Sequence, residues 1–234
     1  SGPILILHLI TDRRRVARAH DRRHDESRRL LALVGRAIDA GVDVVQLRER
    51  DLSAGELVAL ASAMVERTVG TRTRIVVNDR VDVAVAAGAH GVHLRSDSVS
   101  PDVVRAMTPP GFVIGGSVHS VAEARRMTNG VDYLLAGTVW ASDSKTPGSP
   151  LLGIEGFKSV VDATHLPVLA IGGVTLERIP ELARAGAHGC AAIGLFAAHA
   201  DEACGSTTTH HSLDALVADA RRGVPRGADH GRAG

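Results

Sequence analysis

The sequence predicts an α/β chain folded as a single (β/α)8 TIM barrel. Three observations carry that expectation. Eight short apolar runs recur along 234 residues, each followed by polar residues and then by a segment of helical character. Helix-capping signals stand where such an alternation needs them. The composition also suits layered parallel strands. Hydrophobic residues make up 44% but aromatics only 2%, so Val, Ile, Leu and Ala must fill the interior.

The runs place strands at 4–10, 42–47, 74–77, 91–94, 113–117, 133–137, 168–171 and 189–193. Helices are expected at 25–40, 54–68, 81–87, 101–107, 121–128, 154–162 and 176–185, with a last one at 212–222. Ser53 with Glu56, and Ser120 with Glu123, have the S-x-x-E spacing of a capping box. Gly41, Gly88 and Gly186 sit just past helices, where a left-handed cap favours glycine. The Ala-Gly steps at those three places precede the second, fourth and eighth strands and form a weak internal repeat. A doubly wound open sheet is the alternative, but no G-x-G-x-x-G follows the first strand. Residues 1–222 are expected to form one domain and 223–234 a disordered tail. The segment 13–29, dense in Arg, His and Asp, reads as a solvated loop and helix start, with a flexible lid as second reading.

Lys and Arg total 27 against 26 for Asp and Glu, a formal net charge of +1. A nucleic-acid binder would show a basic excess, so none is expected as partner. No apolar run reaches the length of a membrane span and no signal peptide is visible. Cys190 and Cys204 have neither metal nor redox spacing, which suits a reducing, cytoplasmic setting. Cys190 reads as a small core residue.

In such barrels the chemistry gathers where the strands end. Those ends carry Thr11-Asp12, Gln46 to Arg50, Asn78-Asp79-Arg80, His93 to Asp97, Ser117-Val-His119, Gly172-Gly173 and Ile193-Gly194. Strand alternation puts Gln46 and Arg48 on one side, facing the mouth. An inward Arg48 needs an anionic ligand or a carboxylate such as Glu49. Asn78-Asp79 offers an amide and a hard oxygen for Mg²⁺, or Asp79 caps the following helix. His119 is the residue type suited to carry protons, and His93 reads as part of the barrel wall. The loop Trp140 to Gly148 brings Ser142, Ser144 and Lys145 to the end of the sixth strand, a seat for phosphate oxygens. This rim of cations, amides, hydroxyls and glycines calls for a small, multiply phosphorylated substrate.

Together the stretches Leu9-Ile-Thr-Asp12, Val45-Gln-Leu-Arg-Glu-Arg50, Val77-Asn-Asp-Arg-Val-Asp82, Gly91-Val-His-Leu94, Gly116-Ser-Val-His119 and Ala170-Ile-Gly-Gly-Val-Thr175 resemble the thiamine phosphate synthase and thiazole tautomerase superfamily. The resemblance runs from Leu7 to about Phe196 and is specific for the superfamily rather than the branch. It implies a barrel that joins two halves of thiamine. By position, Gln46, Arg48, Arg50 and Asn78 would hold a pyrimidine diphosphate, and Asp79 would bind Mg²⁺. Ser117 and Lys145 would hold pyrophosphate. Ser142 and Ser144 would contact the thiazole phosphate, which Gly173, Ile193 and Gly194 would seat.

Departures from the pattern accompany it. Ser98 stands where the synthases carry the second Mg²⁺ carboxylate, so Asp97 would have to reach in. Arg50 replaces a usual Lys, Ser142 and Ser144 replace threonines, and Gly194 replaces a common Ser. The resemblance therefore implies a synthase, with a tautomerase using His119, or a non-catalytic regulator that binds a thiamine precursor, as rivals. Partners are expected to be small phosphorylated substrates, with no membrane and with a homodimer compatible with the chain.

Overall fold

Runs of branched apolar residues form eight parallel strands: β1 (Ile6–Ile10), β2 (Val44–Leu47), β3 (Arg74–Asn78), β4 (Gly91–Leu94), β5 (Val113–Val118), β6 (Tyr133–Gly137), β7 (Val168–Ile171) and β8 (Gly189–Ala192). Each pairs with its neighbours in chain order, and β1 pairs with both β2 and β8, so the barrel is closed. All eight expected strands are present, with ends displaced by at most two residues. The structure is a computed structural model describing residues 5–17, 22–141, 150–199 and 212–223. The expected tail beyond Gly223 and the Ser142–Lys145 seat lie outside the described residues.

The helices are α1 (Arg13–Val16), α2 (Arg23–Asp39), α3 (Ala54–Arg67), α4 (Val81–Ala86), α5 (Pro101–Met107), α6 (Val121–Met127), α7 (Gly153–Asp162), α8 (Ile179–Arg184) entered through a 3-10 turn at Leu176–Arg178, α9 (Gly194–Ala197) and α10 (Leu213–Arg222). The capping box at Ser53 is complete: its hydroxyl takes the Glu56 N–H and the Glu56 carboxylate takes the Ser53 N–H. At Ser120 only half of it forms. The hydroxyl accepts from the Glu123 N–H, but the Glu123 carboxylate accepts from the N–H of His119 instead. Gly41, Gly88 and Gly186 have φ of 86°, 65° and 84°, the left-handed caps expected of them.

Alternation along the strands divides the core in two. Outward residues such as Leu7, Leu9, Val45, Leu47, Ile75 and Val77 pack under the helices in one large cluster. Inward residues form a smaller one around Ile10, Tyr133, Leu135, Leu169 and Ala191. The inner tier is partly polar, because His8, Gln46 and His93 are buried there as well.

The segment after β1 corrects one expectation. Arg13 is only 2% exposed instead of solvated. Its guanidinium meets Glu49 at 3.1 Å, both oxygens of Asp51 at 2.6 Å and Glu26 at 3.0 Å. Its backbone N–H also donates to the Glu49 carboxylate. The cluster ties the end of β1, the end of β2 and α2 together. Arg13 pulls the Asp51 carboxyl well below the usual carboxylate range, whereas burial pushes Glu49 up.

Removing Arg13 leaves Glu49 buried without the cation that pairs with it. Arg13→Ala should lower stability by about 3–5 kcal/mol. Urea unfolding would show a reduced midpoint with an unchanged slope; an unmoved midpoint would mean the cluster holds nothing together.

Candidate active site

The barrel mouth opens into a cavity of about 390 Å³ lined by Gln46, Arg48, Arg50, Asn78, Arg95, Asp97, Ser117 and His119, with Gly172 and Ile193 on the far side. Gln46, 2% exposed, donates from its amide to Asn78 Oδ1 at 2.9 Å. Its own carbonyl oxygen is buried and meets no protein donor among the described residues. Arg48 is fixed through its backbone N–H, which donates to Thr11 Oγ1 at 2.9 Å. Glu49 is spent on Arg13, so among the described residues no carboxylate pairs with the Arg48 guanidinium. Burial and then the neighbouring Arg50 charge lower its pKa from the usual arginine value. An anionic ligand is therefore the compensation this side chain lacks.

Beneath the mouth lies a hydrogen-bonded chain that the sequence reading did not assemble. His93, 1% exposed, has Nδ1 3.1 Å from the Tyr133 hydroxyl and Nε2 2.8 Å from Ser117 Oγ. Burial and the adjacent His8 push the His93 pKa down to about 3, and burial raises that of Tyr133. Both are therefore neutral near pH 7. The phenol has one proton to give, and Nδ1 is its acceptor. The tautomer that satisfies the buried phenol proton therefore carries the His93 proton on Nε2, donating to Ser117 Oγ. The Ser117 hydroxyl hydrogen is then free to point into the cavity at an anion. Gly115 makes this possible: it pairs with both His93 and Tyr133, and a Cβ there would overlap the Tyr133 ring. His93 is a wall residue, as expected, but one that orients a rim hydroxyl.

His8 completes the tier with its edge toward His93, the rings 6.3 Å apart. Burial pushes its pKa down to about 3.

Asp79 has φ of 63° and does not cap the next helix, whose N-cap is Arg80 without a side-chain bond. Its Oδ1 instead accepts from the Ser98 hydroxyl, and Oδ2 lies 3.8 Å from the Arg95 guanidinium. Asp97 is exposed and paired to Arg95 from the other side. Among the described residues no group of three His, Cys, Asp or Glu side chains gathers as a metal cage. His119 stands at the lip, with Nδ1 3.3 Å from Glu123.

A second cavity of about 410 Å³ adjoins the first, sharing Ile171, Gly172 and Ile193. Gly172 and Gly173, with φ of 100° and 63°, turn the chain past β7 and expose backbone there. Ile193 and Gly194 form the opposite side, and Arg15 and Arg178 flank it. Arg178 donates to the Gly173 carbonyl and lies 4.8 Å over the Trp140 ring. Neither arginine was foreseen. Arg15 belongs to a four-residue helix too short for periodicity to reveal, and Arg178 to a 3-10 turn. Cys190 is a buried free thiol with its pKa pushed up to about 12, an inert core residue as expected.

Tyr133→Phe should keep the fold but release His93 from its tautomer, weakening affinity for inorganic pyrophosphate by about fivefold, the worth of one modest hydrogen bond. Calorimetric titration measures it; an unchanged affinity would show that the chain does not orient Ser117. The buried histidines also predict acid sensitivity. Their folded pKa values lie below the unfolded value of about 6.5, so the unfolded state binds protons that the native state refuses. Stability should fall as pH drops below about 6.5 toward 3, by about 1.4 kcal/mol per pH unit for each histidine once the unfolded side chains are protonated. In His93→Gln that slope should lose one proton's worth, as read by urea unfolding between pH 6 and 4.5.

The chain is similar to known proteins over most of its length. It matches the thiamine monophosphate synthase family over residues 9–196. It is 37% identical over 186 residues to the thiamine-phosphate synthase of Methanoculleus marisnigri, covering 79% of this chain and 88% of that protein. With the thiamine-phosphate synthase of Caldanaerobacter subterraneus it shares 41% identity over 163 residues, 68% of this chain and 76% of that one. Among solved structures, the thiamine phosphate pyrophosphorylase of Pyrococcus furiosus superposes with a TM-score of 0.73 at 28% identity, covering 94% and 95% of the two chains. The chain belongs to the thiamine monophosphate synthase family.

Proposed function

We propose that this chain is a thiamine-phosphate synthase, a transferase that couples hydroxymethylpyrimidine diphosphate to thiazole phosphate and releases pyrophosphate. The observation that carries the reading is the pair of adjoining cavities, one lined by Arg48, Arg50, Arg95 and Ser117, the other by Gly172, Gly173, Arg15 and Arg178. Two anionic reactants need two such seats with a common wall. The synthases named among the relatives support the assignment.

In this reading Gln46 and Asn78 recognise the pyrimidine edge, and Arg48, Arg50 and Ser117 hold the diphosphate. Gly173, Ile193 and Gly194 seat the thiazole phosphate, with Ser142, Ser144 and Lys145 assigned by sequence position alone. The bond between the methylene carbon and the diphosphate oxygen breaks, both electrons leaving with pyrophosphate. The lone pair of the thiazole nitrogen then forms the new carbon–nitrogen bond. Negative charge grows on the departing group, where the arginines and the Ser117 hydroxyl already point, so the site stabilises the transition state without reorganising. Holding both reactants across one wall replaces a collision by a local step.

The family's metal ion, Mg²⁺, finds no fitting donor set among the described residues. It takes one or two carboxylates with waters and phosphates. Here Asp79 is engaged by Ser98 and faces Arg95, and Asp97 is held by the same arginine.

One observation favours the tautomerase reading: His119 lines the cavity with Glu123 behind it, while Ser98 replaces a carboxylate. A homodimer, compatible with the sequence, has a feature behind it too. Val103 and Met107 stand exposed one turn apart on α5, with Val99 exposed just before it. A cytoplasmic place rests on the cysteine usage; no helix among the described residues is long and apolar enough to cross a membrane.

Purified protein given both precursors should release stoichiometric pyrophosphate, and Arg48→Ala should slow this by about a hundredfold or more, the scale of losing one transition-state donor. Folded protein that consumes neither precursor would refute the synthase. A thiazole isomerisation abolished in His119→Ala would establish the tautomerase instead.

A further inference from the structure

The loop after β4 places one guanidinium at the centre of the mouth's acidic groups. Arg95, half exposed, is ion-paired to Asp97 and lies 3.8 Å from Asp79 Oδ2. Its position is built rather than incidental. The Arg95 N–H donates to Ser98 Oγ at 2.8 Å, the Ser98 hydroxyl donates to Asp79, and the Ser98 N–H returns to the Arg95 carbonyl at 3.2 Å. Ser98 thereby ties the turn to the end of β3 and sets the arginine beside the carboxylate. Arg95 forms part of the wall of the main cavity and of a smaller one of about 310 Å³ on the β2–β3 side, which also contains Arg48, Arg50 and Asp79.

The charges decide what this means. The two cavities are lined by four arginines, Arg48, Arg50, Arg80 and Arg95, against three carboxylates, Asp79, Asp97 and the Arg13-bound Glu49, so the described mouth is cationic before anything binds. A divalent ion seeking Asp79 and Asp97 would have to displace an arginine lying between them. A guanidinium is always charged and presents a planar fork of donors that matches paired phosphate oxygens.

We propose that Arg95 is the resident cation of the diphosphate subsite: it carries the positive charge that a divalent ion would otherwise bring, so the chain binds diphosphates without one. Ser98 and Asp79 act as positioning residues for it. The catalytic half of the proposal, that departing pyrophosphate is stabilised by Arg95 and turnover proceeds without a divalent ion, rests on the synthase reading. The binding half does not.

The test uses full-length protein, inorganic pyrophosphate as probe, and titration calorimetry in EDTA and in Mg²⁺. The expected result is binding in EDTA within about threefold of that in Mg²⁺, weakened at least tenfold in Arg95→Ala and partly kept in Arg95→Lys. The double substitution Arg95→Gly with Ser98→Asp should reverse the dependence, losing affinity in EDTA and regaining it with Mg²⁺. Binding by the wild type only with Mg²⁺, or undiminished binding in folded Arg95→Ala, overturns the proposal. Turnover in EDTA that Arg95→Ala abolishes supports the catalytic half. Pyrophosphate binding in EDTA that needs Arg95, with no turnover under either condition, supports the binding half while refuting the synthase.

Discussion

The site depends on a charge buried away from it. Arg13 takes the carboxylates of Glu49, Asp51 and Glu26, and in doing so fixes the course of the chain past β2. Arg48, Glu49 and Arg50 are consecutive, so holding Glu49 inward on Arg13 turns its neighbours toward the mouth. Were Glu49 free, it would neutralise Arg48 and the cavity would lose the cation that an anion answers. Burial of the Arg13–Glu49 pair is a poor source of stability by itself, since desolvation offsets the attraction. Its return here is conformational: two strand ends and a helix are held in one arrangement.

A second constraint runs through the barrel interior. A small barrel must fill its centre with side chains, and this one places a histidine pair and a tyrosine there beside aliphatic residues. Gly115 removes a Cβ so that the Tyr133 ring fits beside His93. The polar tier then serves as a rigid support whose hydrogen-bond direction ends at Ser117. Core packing and the aim of a rim hydroxyl are thus one structural fact.

Much of this was legible in the sequence. Apolar runs, S-x-x-E spacings and post-helical glycines located all eight strands and most helices, because those signals are local. The alternation of Gln46 and Arg48 put both at the mouth, where they line the cavity. What stayed hidden was long-range. An arginine in a polar segment reads as solvated, since arginine is seldom fully buried; the burial of Arg13 depends on carboxylates 36 and 38 residues further along the chain. The helices at Arg13–Val16 and Gly194–Ala197 were too short to show a period. Asp79 read as a Mg²⁺ ligand or a helix cap, and its φ of 63°, the N-cap at Arg80 and the bond from Ser98 exclude the cap. Arg95 was visible as a departure from the family pattern, but its place between Asp79 and Asp97 needed the folded turn.

The central claim is that the mouth is an anion site built from arginines and one oriented hydroxyl. A crystal structure of the protein grown with a pyrimidine diphosphate and without divalent cations tests it most directly. The account predicts density for the diphosphate between Arg48 and Arg95, with one of its oxygens within hydrogen-bond distance of Ser117 Oγ. A diphosphate bound elsewhere on the barrel, or seated here only through a metal ion on Asp79, would contradict it.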